Sequence, residues 1–467
     1  MGGSMISDPD SFVDQLNVDT VGRYQIGLLA LGAMVLFCDG FDAQMMSFVA
    51  PAITSEWQLT SADFGPVFAA NLAGLMIGAA LCAPFADAFS RKTFIQCCVL
   101  VFGLSTLAIL LLHSAPELLL SRFVAGTSMG AAMPAMIALT SEFIPRRLRT
   151  RLVVLLSCSF SLGTTICGAI SSLAIQTLGW RSMFWIGGIM PLGAFVVLLL
   201  ALPESPRHLM AGSDTSALSR IAAKLSSRSA LDISSLKFIP GGSAFPVSEL
   251  FSDGRAPLTL LLWTTFFLYG SSLYFLINWL PTLVTQSGYT VAEGSAITAI
   301  YQFGGLVGGL SLGYLIDRVG PRMLVATTFA AFVVVALAGM ATHSIAVIAG
   351  AAFTIGVLVI GNQHVVNTLA GASIYPNALR ATGLGWSLGF VRLGGVLSGS
   401  LGAGLLLNMQ LPISQTFLVI ALGELGAGLA LTILYCIPAG RPLRSTNWSG
   451  NEPARLVERE SARGSIR

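Results

Sequence analysis

The chain has 467 residues, of which 54% are hydrophobic and only 10% charged. So little charge excludes a soluble domain of this length, where about a quarter of the residues would be charged. It fits a polytopic helical membrane protein instead. The formal net charge of +3 is uninformative as a total, and the distribution of the charges along the chain is what counts; no nucleic-acid partner is expected.

Taken in order, residues 1–22 form a polar segment without the features of a cleavable signal peptide. About twelve apolar spans follow, each long enough to cross a ~30 Å hydrocarbon core at ~1.5 Å per residue. The first six are predicted at Tyr24–Ala50, Phe64–Ala86, Phe94–Leu112, Leu118–Leu139, Leu152–Ile175 and Met183–Leu202. Residues 203–257 make a polar linker. The second six are predicted at Leu258–Val284, Ala296–Ile316, Met323–Ala341, Ile345–Leu369, Ala381–Leu407 and Phe417–Ile437, followed by a polar, basic tail over 438–467. The expected fold class is therefore an all-α integral membrane protein, two pseudo-symmetric six-helix bundles at 23–202 and 258–437.

Orientation follows from the cations. Arg122 and Arg392 lie inside spans, and Arg181 is the single cation in the loops after odd-numbered spans. The other lysines and arginines fall in the termini, the linker and the loops after even-numbered spans, so both termini and the linker are expected in the cytoplasm. The seven cysteines lie in or beside spans with no metal or redox spacing and read as small packing residues. No metal or cofactor is expected.

The first span holds Asp39-Gly-Phe-Asp42 near its middle. An ionised carboxylate at bilayer depth costs at least ~2.5–3.5 kcal/mol on insertion scales, which makes such a pair a functional candidate by default. Residues three apart share a helix face, so both acids can address one cavity. An acid balanced between the cost of burial and the attraction of Arg122 can load a proton on one side of the membrane and release it on the other. Asp39 and Asp42 would titrate as a coupled unit. The alternative is a static Asp–Arg122 bridge that ties helices together. If Asp39, Asp42, Arg122 and Arg392 share a cavity, their charges cancel, and one added proton leaves a net positive site suited to a monovalent carboxylate. Arg392, mid-way along span eleven, has the planar fork that binds a carboxylate in bidentate fashion; a structural ion pair is the competing role.

Tyr269, Tyr274 and Asn278 in span seven, Tyr301 and Gln302 in span eight, Asn362, Gln363, His364 and Asn367 in span ten, and Trp386 and Phe390 in span eleven could complete a binding pocket. A benzoate-like ligand needs flat apolar walls and a few directional polar groups, although most aromatics on membrane helices simply pack. Glu424 in span twelve reads as a third protonatable site or as a packing residue.

Two loops repeat a pattern after spans two and eight. The later reads Gly313-Tyr-Leu-Ile-Asp317-Arg318-Val-Gly320-Pro-Arg322, the earlier Ala83-Pro-Phe-Ala-Asp87-Ala-Phe-Ser-Arg91-Lys92. Together with Arg122-Phe-Val-Ala-Gly126-Thr-Ser-Met-Gly130, Glu142-Phe-Ile-Pro-Arg-Arg-Leu-Arg149, Pro203-Glu204-Ser205-Pro206-Arg207, Trp279-Leu-Pro281-Thr282 and Tyr375-Pro376-Asn-Ala-Leu-Arg380, they resemble the major facilitator superfamily. Asp39-Gly-Phe-Asp42 and Arg392-Leu-Gly394-Gly395 are similar to its aromatic acid:proton symporters. The first loop departs from the superfamily pattern at Ala83, Ala88 and Ser90, where Gly, a basic residue and Gly are usual.

The resemblance implies proton-coupled uptake of aromatic carboxylates such as hydroxybenzoates, by a monomer working through alternating access in the inner membrane. It also implies a cytoplasmic gate from Asp87, Arg91, Glu142, Arg149, Glu204, Asp317, Arg322 and Arg380, with solvated loop charges as the bland alternative. Proton-antiport efflux and uptake of another organic anion are rival readings; efflux is weakened because span five has Gly163 and Gly168 without a Gly-Pro motif. A non-transporting receptor for aromatic acids is a rival of another class. No metalloprotease, serine-hydrolase or nucleotide-binding motif supports an enzyme.

Overall fold

The computed structural model describes residues 21–436 except 60, 89, 212–214, 226–246, 253, 321, 341–343, 370–374, 376–378, 404–408 and 410. The terminal segments and much of the linker therefore lie outside the described residues. The first half contains α1 (Arg23–Trp57), α2 (Ser61–Ala88), α3 (Arg91–Ala108), α4 (Ala115–Glu142), α5 (Arg146–Leu178) and α6 (Arg181–Ala201). Two short helices follow, α7 (Pro206–Ala211) and α8 (Thr215–Leu225). The second half contains α9 (Ala256–Gln286), α10 (Val291–Val319), α11 (Arg322–Ala338), α12 (Ile345–Ile355), α13 (Gly361–Leu369), α14 (Arg380–Ala403) and α15 (Ile413–Cys436). A π-helical segment, Gly356–Ile360, joins α12 to α13, so the three together occupy the tenth predicted span.

Among the described residues, nine helical stretches are long and apolar enough to cross a membrane, and shorter apolar helices lie at Asp63–Ala79 and Arg322–Ala338. The remaining long helix, α14, carries Arg380, Arg392 and a run of glycines, which lowers its hydropathy without shortening it. An all-helical design follows from the bilayer, where each backbone N–H and C=O must be satisfied within its own segment.

The chain divides into two compact units. The first comprises Met1–Ser243, Tyr274–Gln302 and Gly395–Pro412, and the second Ala244–Leu273, Phe303–Gly394 and Ile413–Arg467. In the first unit, α1 packs on α5 so closely that a Cβ on Gly40 would collide with the Phe160 carbonyl and one on Gly163 with the Phe37 carbonyl. Between α2 and α4, Gly78 sits equally close to the Thr127 carbonyl and Gly130 to that of Leu75. Small residues allow this approach, and van der Waals contact is the main force holding helices together in lipid.

The second unit repeats the arrangement. Gly270 of α9 lies against the Val391 carbonyl of α14, and Gly394 against that of Phe267. Gly304 of α10 meets the Phe353 carbonyl of α12, and Gly308 meets that of Val357 in the π segment. Spans one with five and two with four thus correspond to seven with eleven and eight with ten. The internal repeat seen in the loops extends to the closest helix contacts.

The linker contributes structure as well as charge. On α8, Leu218, Ile221 and Ala222 are buried in a cluster with Leu28, Leu139, Phe143 and Leu202, and the Lys224 ammonium lies 5.4 Å from the Tyr24 ring centre. The two repeated loops turn differently. Gly320 has φ +97°, a left-handed conformation that favours glycine. Ser90 has φ −57° and its hydroxyl caps α3 by accepting from the Thr93 N–H. The first loop therefore makes its turn without the glycine usual in the family pattern, at a position where a serine is an effective helix cap.

Gly40→Ala is expected to lower the melting temperature of the purified protein, because backbone lies opposite the new methyl and overpacking costs ~1–3 kcal/mol. Gly27→Ala, where a Cβ would meet nothing within 4 Å, is expected to leave the melting temperature unchanged or raise it slightly. Thermal unfolding in detergent checks both.

Candidate substrate and proton site

Asp39 and Asp42 are buried, at 6% and 5% exposure, and Arg122 of α4 is buried at 1%. The Arg122 Nη1 donates to both carboxylate oxygens of Asp42, at 2.9 and 3.1 Å, and its Nη2 donates to Thr106 Oγ1 at 3.3 Å. The Nε has no hydrogen-bond partner among the described residues. Gly40 explains how the acids come to be presented this way. By letting α1 touch α5 on one side, it fixes the rotation of α1 and so the direction in which Asp39 and Asp42 point. Burying two charges is repaid only when geometry and additional hydrogen bonds are good, and here the Asp42 contact comes with a threonine hydroxyl.

A second polar centre in the same unit lies next to this pair in sequence. Gln44 is fully buried; its amide donates to Ser47 Oγ at 2.6 Å and to the Ile277 carbonyl at 3.1 Å, and its oxygen accepts from the Gln302 amide. Asn278 is buried, and its Nδ2 has no partner among the described residues. Tyr274 is half-buried. Of the predicted pocket residues, the structure therefore places Arg122, Tyr274, Asn278 and Gln302 in one unit with Asp39 and Asp42.

Tyr301, fully buried, lies in the same unit; the remaining candidates belong to the second unit. Arg392 is half-buried on α14. Tyr269 is fully buried and its hydroxyl is bonded to Thr328 Oγ1. Gln363 donates to Asn367 Oδ1 at 2.9 Å, the i, i+4 contact that their spacing predicts, and Asn362 accepts from Thr327 Oγ1 at 2.7 Å. These amides follow directly on the π segment, a feature often found at functional sites. Trp386 is 45% exposed and stacks on Trp263 at 5.8 Å, with Phe390 on the same indole at 4.5 Å. Glu424 is fully buried, and neither carboxylate oxygen has a hydrogen-bond partner among the described residues.

At the predicted cytoplasmic end of the first unit, Arg91 is ion-paired with Glu142. Ser205 Oγ donates to the other Glu142 oxygen at 2.6 Å, Ser90 Oγ donates to Glu204, and the Ser205 N–H donates to Glu204 at 2.9 Å. The predicted acids and Arg91 are thus joined through two serines into one network. In the second unit Arg322 is exposed, and its Nε donates to the Tyr435 hydroxyl at 2.9 Å. The side chains of Asp87, Arg149, Asp317 and Arg380 lie outside the described residues.

Gln44, Thr106, Ser90 and Ser205 are not among the sequence candidates. For Gln44 a signal existed: a primary amide two residues past Asp42 in an otherwise apolar run. Thr106 had none, because threonine is common in membrane helices and usually bonds its own backbone.

Residues 32–399 match the family model of the Major Facilitator Superfamily. The 4-hydroxybenzoate transporter PcaK of Pseudomonas putida is 37% identical over 406 residues, covering 85% of this chain and 89% of that protein. A gallate transporter of the same organism is 32% identical over 440 residues, covering 91% and 95%. Among solved structures, a D-xylose-proton symporter superposes with a TM-score of 0.71 at 18% identity, covering 90% of this chain and 99% of that one. Helix order, duplicated glycine contacts and these matches agree: the chain is a multi-pass membrane transporter rather than an enzyme, and it belongs to the Major Facilitator Superfamily, in the same family as the 4-hydroxybenzoate transporters.

Proposed function

We propose that this protein is a proton-coupled importer of aromatic carboxylates such as hydroxybenzoates. It works as a monomer by alternating access between six-helix bundles at 23–202 and 258–437, in the inner membrane with both termini cytoplasmic. The observation that carries the reading is the buried Asp42–Arg122 pair with Asp39 one turn away. While Asp42 is ionised it occupies Arg122. Once it is protonated, the guanidinium is a buried cation in need of an anion, and a substrate carboxylate supplies one. Charge is then conserved: the proton neutralises Asp42 and the carboxylate takes its place at Arg122. Proton and anion are bound together because neither state leaves an uncompensated charge in the low-dielectric interior.

Two buried donors without acceptors, Arg122 Nε and Asn278 Nδ2, support an oxygen-rich ligand in this unit. Within this unit Tyr274 and Gln302 supply an aromatic wall and an amide for such a ligand; in the second unit Arg392, Tyr269, Gln363, Asn367 and Trp386 are the candidate ligand-binding residues. The resemblance to relatives that transport 4-hydroxybenzoate and gallate supports this substrate class. The networked Arg91, Glu142 and Glu204, with Asp87 and Arg149, serve as gate residues of the first unit, and Asp317, Arg322 and Arg380 as those of the second.

Proteoliposomes given labelled 4-hydroxybenzoate and an inward proton gradient are expected to accumulate it, and to lose the accumulation when a protonophore is added. Asp42→Asn and Asp39→Asn should abolish accumulation, and gradient-driven uptake that survives both substitutions would refute the coupling role. Glu142→Gln, which weakens the pair with Arg91, is expected to slow uptake while leaving the half-saturating substrate concentration within about twofold, since a gate residue acts on the conformational step. Initial-rate measurements separate the two parameters.

A further inference from the structure

The first unit contains a cavity of about 380 Å³ at the ends of α1, α2 and α9. Its inner wall is aromatic. Phe68 meets Trp279 edge to face at 5.6 Å, and Phe64 lies 6.1 Å from Phe68. Its rim is polar and uncharged, with Ser55, Thr282 and Gln286, and no lining residue is ionisable. The Trp279 indole N–H has no acceptor among the described residues, an uncommon state for a buried donor.

The cavity is separate from the charged pair. It begins at Ala50, eight residues beyond Asp42 on α1, or ~12 Å along the helix at ~1.5 Å per residue. The distribution of cations places this end of α1 on the outer face. Nearby, Glu56 accepts from Arg181 at 2.7 Å and from the Trp180 indole at 2.6 Å, so the only cation expected on this side is already engaged.

We propose that this cavity is an outer capture site for the aromatic acid, which lodges its ring against Phe68 and Trp279 with its carboxylate at the Thr282 and Gln286 rim. The proposal rests on the aromatic-acid reading above and adds a second site to it. The volume lies in the range of small-ligand pockets, ~300–1,000 Å³, and is ample for one substituted benzene ring. The edge-to-face aromatics favour a π-system over an aliphatic acid. With no fixed charge the site holds its ligand weakly, as a relay to Arg122 requires; a tight outer site would trap the substrate there.

A site on one face affects only substrate arriving from that face. Labelled 4-hydroxybenzoate transport is measured in right-side-out and inside-out membrane vesicles. Phe68→Leu and Trp279→Phe should raise the half-saturating concentration about two- to tenfold from the outer face, with the inner-face value within twofold of wild type. At the exposed rim, where folding is not at stake, Gln286→Glu should raise the outer-face value and Gln286→Lys lower it. Equal changes from both faces in the Phe68 and Trp279 variants, together with no response to charge at Gln286, would overturn the proposal. Absence of transport by the wild-type protein would instead overturn the aromatic-acid reading itself, and the capture site with it.

Discussion

Arg122 and Asp42 are both buried, and each is tolerable there only because of the other. Removing one partner of such a pair typically costs ~3–5 kcal/mol, since the survivor is left as a buried, uncompensated charge. In the proposed mechanism that constraint makes the site a switch. Any event that neutralises Asp42 creates demand for another anion at Arg122, and any event that removes that anion restores demand for an ionised Asp42. Thr106 takes up one of the remaining guanidinium donors, and the Nε donor has no partner among the described residues.

The pair has meaning only if α1 keeps its rotation and depth. Gly40, between the two acids, sets both by bringing α1 against the α5 backbone. The same device appears at α2 and α4, at α9 and α14, and at α10 and α12. In lipid no hydrophobic force drives helices together, so close backbone contact through glycine supplies rigidity instead. Rigid helix pairs are what an alternating-access mechanism needs, because a bundle that rocks as a body carries its charges with it.

Much of this was legible in the sequence because the bilayer imposes severe rules. Long apolar runs mark helices, and charged residues inside such runs mark side chains that need a buried partner. Asp39, Asp42 and Arg122 stood out for that reason, and Gln363 and Asn367 are spaced to share a helix face. What was not legible depended on packing. The apolar stretch Gly356–Ile360 carries no chemical mark of π geometry, and Ser90 looked like a departure from a glycine turn until its φ and its capping bond showed that no glycine is required. Helix α8 was hidden by the average polarity of the linker, although Leu218, Ile221, Ala222 and Leu225 recur at helical spacing. The amide network of Gln44 with Gln302 joins residues distant in sequence, and nothing at either position announced its partner.

The central claim is that substrate binding and protonation of the Asp42 site are one event. It is tested most directly by measuring proton uptake when purified protein in weakly buffered detergent binds 4-hydroxybenzoate, using a pH-indicator dye. Binding is expected to draw protons from solution in the wild-type protein and to draw none in Asp42→Asn, where residue 42 is already neutral. Binding without proton uptake in the wild type, or equal uptake in both proteins, would contradict it.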